Sequence, residues 1–286
     1  MTRAFLALAA LSLLMSGGSA ASAADKPVVL KPITTWNVNW GDSSCDLIRK
    51  FGPVDKPTML RIRQMGLSAA IEIEVAGPPV SYIQAKNGVS FDFGNGALVK
   101  AGDPMSAVNT VYGSSLIANA QLLPDGGRDK DSLGPNLIFE QQISQVGISS
   151  RNSALLLQSG NMAAPLQALH KCVEDMFTGW GVTPATRDIL AHEPAVIDAQ
   201  GLAKTFDQSY PKALESPGRS DRFTFRVVVD AQGIAHRCHI IQSTQETVNE
   251  LLCKSVLKMR FTPAQDKNGT PVSWYFYGAI NHRPNY

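Results

Sequence analysis

The sequence lacks the short motifs by which the common enzyme classes are recognised. It contains no glycine-rich phosphate loop, no HExxH, no CxxC, and no Asp-Thr-Gly or Asp-Ser-Gly of an aspartic protease. Charged residues make up only 17% of the chain and the formal net charge is +2, which gives no reason to expect a nucleic acid or an anionic membrane as partner. No internal repeat is present. We therefore expect an ordered globular protein that is not an enzyme and needs no cofactor.

The amino terminus has the pattern of a cleavable export signal. Arg3 precedes an almost wholly apolar run, Ala4–Met15, and Ala21-Ser22-Ala23 is a cleavage box of the A-x-A type. The apolar run is shorter than the roughly 20 residues that a membrane-spanning helix needs, and no later segment is apolar enough to span a bilayer. We predict a signal peptide over residues 1–23. An uncleaved membrane anchor is the alternative.

The four cysteines are an even number in a chain predicted to reach an oxidising compartment. Three pairings are possible. Pairing Cys45 with Cys172 and Cys238 with Cys253 keeps each bridge within one of the two modules described below, so we predict these two disulfides. Four buried free thiols are the alternative.

The last quarter of the chain has the clearest secondary-structure pattern. Apolar residues alternate over Phe223–Val229, a turn follows at Asp230–Gly233, and a second strand is predicted over Ile234–Gln242. In Glu246–Arg260 apolar residues recur every three or four positions, as on one face of a helix. Alternation returns in Val272–Ile280. The predicted order is β-β-α-β.

This stretch, Ser209–His282, resembles the C-terminal domain of the TonB family. The matching features are Tyr210-Pro211 before the first strand, the hairpin Val227–Gly233, the segment Arg260–Ala264 and the segment Gly269–Val272. The resemblance implies a small antiparallel sheet, crossed by one helix, that binds an extended peptide of a protein partner in the periplasm. The implied partner is a TonB-dependent outer-membrane receptor or another envelope protein. The chain lacks the long Pro-Glu and Pro-Lys spacer of TonB, which argues against energy transduction.

The predicted binding site is the last strand. Its period of two places Trp274 and Phe276 on one face and Tyr275 and Tyr277 on the other. One pair can fill the core beneath the helix. The other pair then meets a partner, the N-terminal module, or a second copy of the domain in a homodimer. The resemblance and this pattern together give the partner-binding residues Tyr210, Pro211, Val272, Trp274, Tyr275, Phe276, Tyr277 and Ile280.

The predicted fold class is α+β, with a β-rich N-terminal module closed by one helix and followed by the TonB-like domain. The module covers 30–181, a linker covers 182–205, and the TonB-like domain covers 206–286. The closing helix is predicted over Ala163–Trp180, with His170 as a core or interface histidine. Leu137–Gly147 is predicted to be a strand, and Asn119–Asn136 a long exposed loop.

Three groups of reactive side chains have a structural explanation as well as a chemical one. His236 and His239 fall on opposite faces of one strand, so they cannot converge with Cys238 on a metal. Gly41-Asp42-Ser43 resembles the nucleophile block of GDSL-type hydrolases, whose other blocks are absent. Glu72 and Glu74 are predicted to form the solvated side of a half-buried strand. Two functions other than partner binding remain open: a ligand-binding or hydrolytic N-terminal module with its site at the loop 119–136, and a structural envelope protein.

Overall fold

The structure, a computed structural model, describes residues 27–96, 98–123, 134–151, 153–215 and 221–282. The predicted signal peptide and residues 124–133 of the predicted loop lie outside these ranges. Within them the fold is mixed α+β, with strands predominating and five α-helices. The predicted fold class is therefore confirmed at this level.

The part of the chain before residue 181 forms two sheets and a long helix. Its elements are β1 (Val28–Leu30), β2 (Asn37–Trp40), β3 (Cys45–Phe51), β4 (Thr58–Gln64), β5 (Ala70–Ala76), β6 (Ser90–Asp92), β7 (Leu98–Lys100), β8 (Gly102–Asn109), β9 (Gly113–Gln121), α1 (Leu137–Gln142), β10 (Val146–Ser150), β11 (Ser153–Leu157) and α2 (Ala163–Gly179), with short 3-10 turns at Pro78–Tyr82 and Ala85–Asn87. One sheet is antiparallel with the order β2-β3-β4-β5-β9-β8. The other has the order β1-β11-β10-β6-β7, and β1 runs parallel to β11.

Both sheets and the buried stripe of α2 share one hydrophobic cluster. The disulfide Cys45–Cys172 ties α2 to β3 inside this cluster, and both cysteines are fully buried. Residues of α2 that recur every three or four positions, such as Leu166, Leu169 and Val173, face the cluster. The buried face of α2 is the one that its periodicity predicts.

The prediction of a strand over Leu137–Gly147 is wrong in its first half. The structure has α1 at Leu137–Gln142 and begins β10 only at Val146. The side chain of Asn136 accepts a hydrogen bond from the main-chain N–H of Phe139, an N-cap that starts the helix. A short apolar run does not distinguish a buried helical turn from a strand, which explains the error.

The remaining chain is built around a third sheet. Its elements are α3 (Thr186–Ile189), β12 (Leu190–His192), β13 (Ala195–Val196), α4 (Ala199–Ser209), β14 (Asp221–Val229), β15 (Ala235–Ser243), α5 (Asn249–Val256), β16 (Phe261–Thr262), β17 (Ala264–Asp266), β18 (Pro271–Val272) and β19 (Trp274–His282), with 3-10 turns at Lys212–Leu214 and Glu246–Val248. The three-stranded antiparallel sheet has the order β15-β14-β19. Residues 182–205 contain β12 and β13, which pair with β17 and β16. That segment is therefore attached by main-chain hydrogen bonds to the C-terminal part.

Strand β14 is buried on both faces. Its odd-numbered residues Phe223, Phe225, Val227 and Val229 pack with α4 and α5 in a second hydrophobic cluster, on the face that the alternation predicts. On the opposite face Val228 belongs to the first cluster. The disulfide Cys238–Cys253 ties β15 to α5. The third sheet thus lies between the helices of its own half and the first module.

Candidate functional site

Strand β19 is an outer strand of the third sheet. Over nine residues it pairs with β14 without a register shift. In the described part of the chain no other strand pairs with β19, and no further main-chain hydrogen bond reaches its outer side. The predicted binding strand therefore has an unpaired edge.

The hydrogen bonds of Arg222 show which main-chain groups of β19 point outward. The N–H of Arg222 donates to the Thr244 hydroxyl at 3.0 Å and its carbonyl accepts from the Thr244 N–H at 3.2 Å, so both groups face β15. Arg222 lies opposite Asn281, which must then direct its own N–H and C=O away from β14. The same holds for every second residue of the strand. The outward groups belong to Tyr275, Tyr277, Ala279 and Asn281.

The other outer strands are less suited to receive an extended segment. Strand β15 is also nine residues long, but its pairing with β14 shifts twice and Arg237 within it has a φ of 49°. Strand β8 has a shift near Asp103 and Pro104. Strands β1, β2 and β7 have three or four residues each. Bulges, prolines and short length all hinder pairing at an edge, so β19 is the longest regular edge of the described strands.

A cleft of about 380 Å³ runs beside the first half of β19. One wall belongs to the first module, at the β4–β5 connection and the start of β5, and the other to the third sheet. Residues that line it are Met65, Gly66, Ser68, Ala70, Ile71, Asn119, Glu193, Pro194, Arg226, Tyr275, Phe276 and Tyr277. The cleft therefore brings three of the predicted site residues together with side chains from the distant first half.

The two tyrosines of the outer face have different surroundings. Tyr275 is partly buried and packs on Phe177 of α2 with 4.7 Å between ring centroids. Burial raises the pKa of its phenol and nearby Glu193 adds to that rise, while the hydrogen bond of the phenol oxygen to the main chain of Leu67 lowers the pKa less strongly. Tyr277 is 52% exposed. The first module thus covers Tyr275, while Tyr277 remains open to solvent.

Arg226 of β14 forms part of the cleft and is only 1% exposed. Its Nη2 donates to the carbonyl of Ser43 at 2.7 Å, and its guanidinium lies 4.1 Å from the ring centre of Trp180 and 5.0 Å from that of Phe177. Its Nε has no hydrogen-bond partner in the described structure. Burial lowers the pKa of Arg226 to about 10. Sequence reasoning missed this residue, because a polar position in an alternating strand predicts exposure.

Five of the predicted site residues do not line the cleft. Tyr210 is buried, donates to Asp221 at 2.7 Å and stacks on His282 at the end of β19, while Pro211 is exposed beside it. Val272 belongs to β18 and packs against the first cluster. Trp274 and Ile280 are buried, in the first and second clusters respectively. These residues hold β19 in place, and Phe276 packs beneath it against Phe225 and Phe261.

The prediction that Glu74 is solvated is wrong. Glu74 is 4% exposed, its carboxylate lies 2.6 Å from Nη2 of Arg61, and it accepts hydrogen bonds from Ser115 and Asn109 at 2.9 and 3.0 Å. The donors come from β8 and β9, which cover this end of the strand. Glu72 on the same face keeps a partly exposed side chain.

A second buried polar cluster surrounds His170 of α2. Nδ1 of His170 lies 2.8 Å from Oε1 of Gln64, and Nε2 lies 2.8 Å from a carboxylate oxygen of Glu140. Gln64 in turn donates to the carbonyl of Ser68. Every polar group here has a partner within the fold, which gives His170 a structural role between α1, α2 and β4.

The remaining reactive groups are dispersed. His236 pairs with Asp230 at 2.8 Å, Cys238 is in its disulfide, and His239 stacks on Trp180. The described residues contain no group of three or more His, Cys, Asp or Glu side chains placed to hold a metal ion. The main-chain carbonyl of Ser43 accepts a hydrogen bond from Arg226.

Among the residues described, no helix is both long and apolar enough to cross a membrane. Comparisons of the chain with protein-family models, curated proteins and solved structures give no match.

Proposed function

We propose that this chain is an exported binding protein that takes up an extended segment of an envelope or outer-membrane protein by adding it as a strand to β19. The observation that carries the proposal is the free row of main-chain groups on Tyr275, Tyr277, Ala279 and Asn281. Each of these residues offers one donor and one acceptor, the requirement for pairing with a further strand. The two disulfides suit a protein that folds in an oxidising compartment, and we place it in the periplasm.

The proposal assigns separate roles to the two halves. The TonB-like domain, residues 206–286, supplies the edge. The module 30–181 supports this edge by packing against Tyr275, and it forms the facing wall of the cleft. Because the cleft lies beside Tyr275 and Tyr277, an added segment has room for its side chains on the side of the first module. An N-terminal reaction centre has less support, since the carboxylate of Glu74 and the ring nitrogens of His170 have partners within the fold.

The main-chain pairing can be tested at Ala279, whose side chain is exposed and whose N–H points outward. Ala279→Pro removes one outward donor and leaves the bonds to β14 intact, and the preceding Gly278 tolerates the restriction that proline imposes. We expect peptides selected from a random displayed library for binding to the mature protein to bind this variant at least about tenfold more weakly. Ala279→Val keeps the N–H and serves as the matched control.

Amide hydrogen exchange gives an independent measure of the same contact. In the free protein the amides of Tyr277, Ala279 and Asn281 should exchange rapidly, whereas those of Gly278 and Ile280 are protected by β14. A selected peptide should protect the first group. Equal binding to wild type and Ala279→Pro, or no added protection in the complex, would show that recognition does not use this edge.

A further inference from the structure

We infer that the cleft beside β19 is a carboxylate site centred on Arg226, and that the segment bound by this protein carries an acidic side chain there. The claim that the carboxylate belongs to a bound segment rests on the proposed strand addition. The carboxylate site itself rests on the surroundings of Arg226 and can be tested apart from it.

Arg226 is a buried cation without an anion. It is 1% exposed, and no carboxylate of the described residues forms an ion pair with it. Its guanidinium contacts the main-chain carbonyl of Ser43 and the faces of two aromatic rings. Nε has no partner in the described structure. A buried guanidinium usually pairs with a carboxylate through two parallel hydrogen bonds. Among the described residues, no carboxylate pairs with Arg226 in this way.

The position of Arg226 matches the path of an added strand. Arg226 lies directly opposite Tyr277 in the β14–β19 register, so both side chains project from the same face of the sheet. Both line the cleft between the sheet and the first module. A segment paired with the outward groups of Tyr275 and Tyr277 would direct alternate side chains into this cleft, towards Arg226.

Glu193 is the acidic residue in the lining of the cleft, and its negative charge opposes the binding of a carboxylate. Its side chain is exposed, so water screens its charge, whereas Arg226 is shielded from water. The buried cation should therefore dominate the selectivity for charge, with Glu193 weakening the binding of an acidic group. Removing Glu193 should strengthen that binding.

The test uses two small probes of equal shape, N-acetylglutamate N-methylamide and its glutamine counterpart, titrated into the mature full chain. The readout is the Nε–H resonance of Arg226 by NMR, assigned by its disappearance in Arg226→Lys. We expect the glutamate probe to shift this signal saturably, with an affinity at least about tenfold above that of the glutamine probe. Glu193→Gln should raise affinity for the glutamate probe. Equal response to both probes in the wild-type chain would overturn the inference.

Library selection separates this inference from the proposed function. Peptides selected on wild type should carry Glu or Asp at one fixed position, and selection on Arg226→Gln should lose that preference. Selected peptides without an acidic preference refute the carboxylate site and leave strand addition standing. If Ala279→Pro leaves peptide binding unchanged while the glutamate probe still binds at Arg226, strand addition fails and the carboxylate site stands.

Discussion

Tyr275 in the last strand packs against Phe177 in the long helix, with 4.7 Å between their ring centroids. The contact joins α2 to the third sheet and holds the inner part of the edge strand in position. Two residues further on, Tyr277 points to the same side and is half exposed. The boundary between the covered and the open part of this face therefore falls between two neighbouring tyrosines.

This boundary predicts a sharp contrast in stability. Phe177→Ala removes a fully buried ring that also lies near Trp180 and Arg226, so we expect a loss of about 3–5 kcal/mol in the free energy of unfolding. Tyr277→Ala should change it by about 0.5 kcal/mol or less, as is usual for an exposed side chain. Urea unfolding of both variants measures the difference. A comparable loss in the two would mean that Tyr277 is covered in solution.

The two disulfides should differ in their contributions. Cys45 and Cys172 are 127 residues apart, whereas Cys238 and Cys253 are 15 apart. On the chain-entropy argument the longer loop is worth about 5 kcal/mol and the shorter about 3 kcal/mol. We expect the double variant Cys45→Ala/Cys172→Ala to be the less stable of the two in urea unfolding. The opposite order would mean that structure in the unfolded chain, and not loop length, sets their effect.

Glu72 and Glu74 form a matched pair for measuring burial of charge. Glu74→Gln weakens a buried contact with Arg61 and should cost about 2 kcal/mol. Glu72 lies 3.6 Å from Arg61 with a partly exposed side chain, so Glu72→Gln should cost about 0.5 kcal/mol or less. Thermal and urea unfolding of the two variants should separate them clearly. Equal costs would show that Glu74 is solvated, as the sequence pattern predicts.

The same pair shows why part of the structure could not be predicted. Period two placed both glutamates on one face, which is correct, but the cover over Glu74 comes from Asn109 and Ser115 in a hairpin of small and polar residues. That hairpin has no clear alternation of apolar residues and was therefore not predicted. Burial that a distant segment imposes is not encoded in the local pattern.

The last quarter of the chain was predicted more accurately because its patterns are strong. The first two predicted strands lie within two residues of β14 and β15, since regular alternation fixes them. The predicted helix Glu246–Arg260 is shorter in the structure, where Asn249–Val256 follows a 3-10 turn. The edge position of β19 depends on sheet order, which no local pattern specifies. Arg226 was missed for the same reason as Glu74, because Trp180 of the first module buries it.

The burial of Arg226 also affects a histidine beside it. His239 lies opposite Arg226 in the sheet and stacks on Trp180 with 4.2 Å between ring centroids. Partial burial lowers its pKa from the usual 6.5, Arg226 and Arg237 lower it further, and Asp42 opposes the effect. The unfolded chain therefore binds a proton at His239 at a higher pH than the folded chain does.

Stability should therefore fall as the pH drops from about 6.5 through the folded-state pKa of His239. At neutral pH the protein keeps the full stabilisation that the uncharged His239 contributes. His239→Gln should lose less free energy of unfolding than wild type between pH 7.5 and pH 5. His236→Gln, which removes an exposed histidine of the same strand, is the control. NMR titration should give a pKa for His239 below 6.5 that rises in Arg226→Met, because the neighbouring positive charge is gone. A pKa at or above 6.5 in wild type would mean that water or an anion reaches this face and offsets the guanidinium.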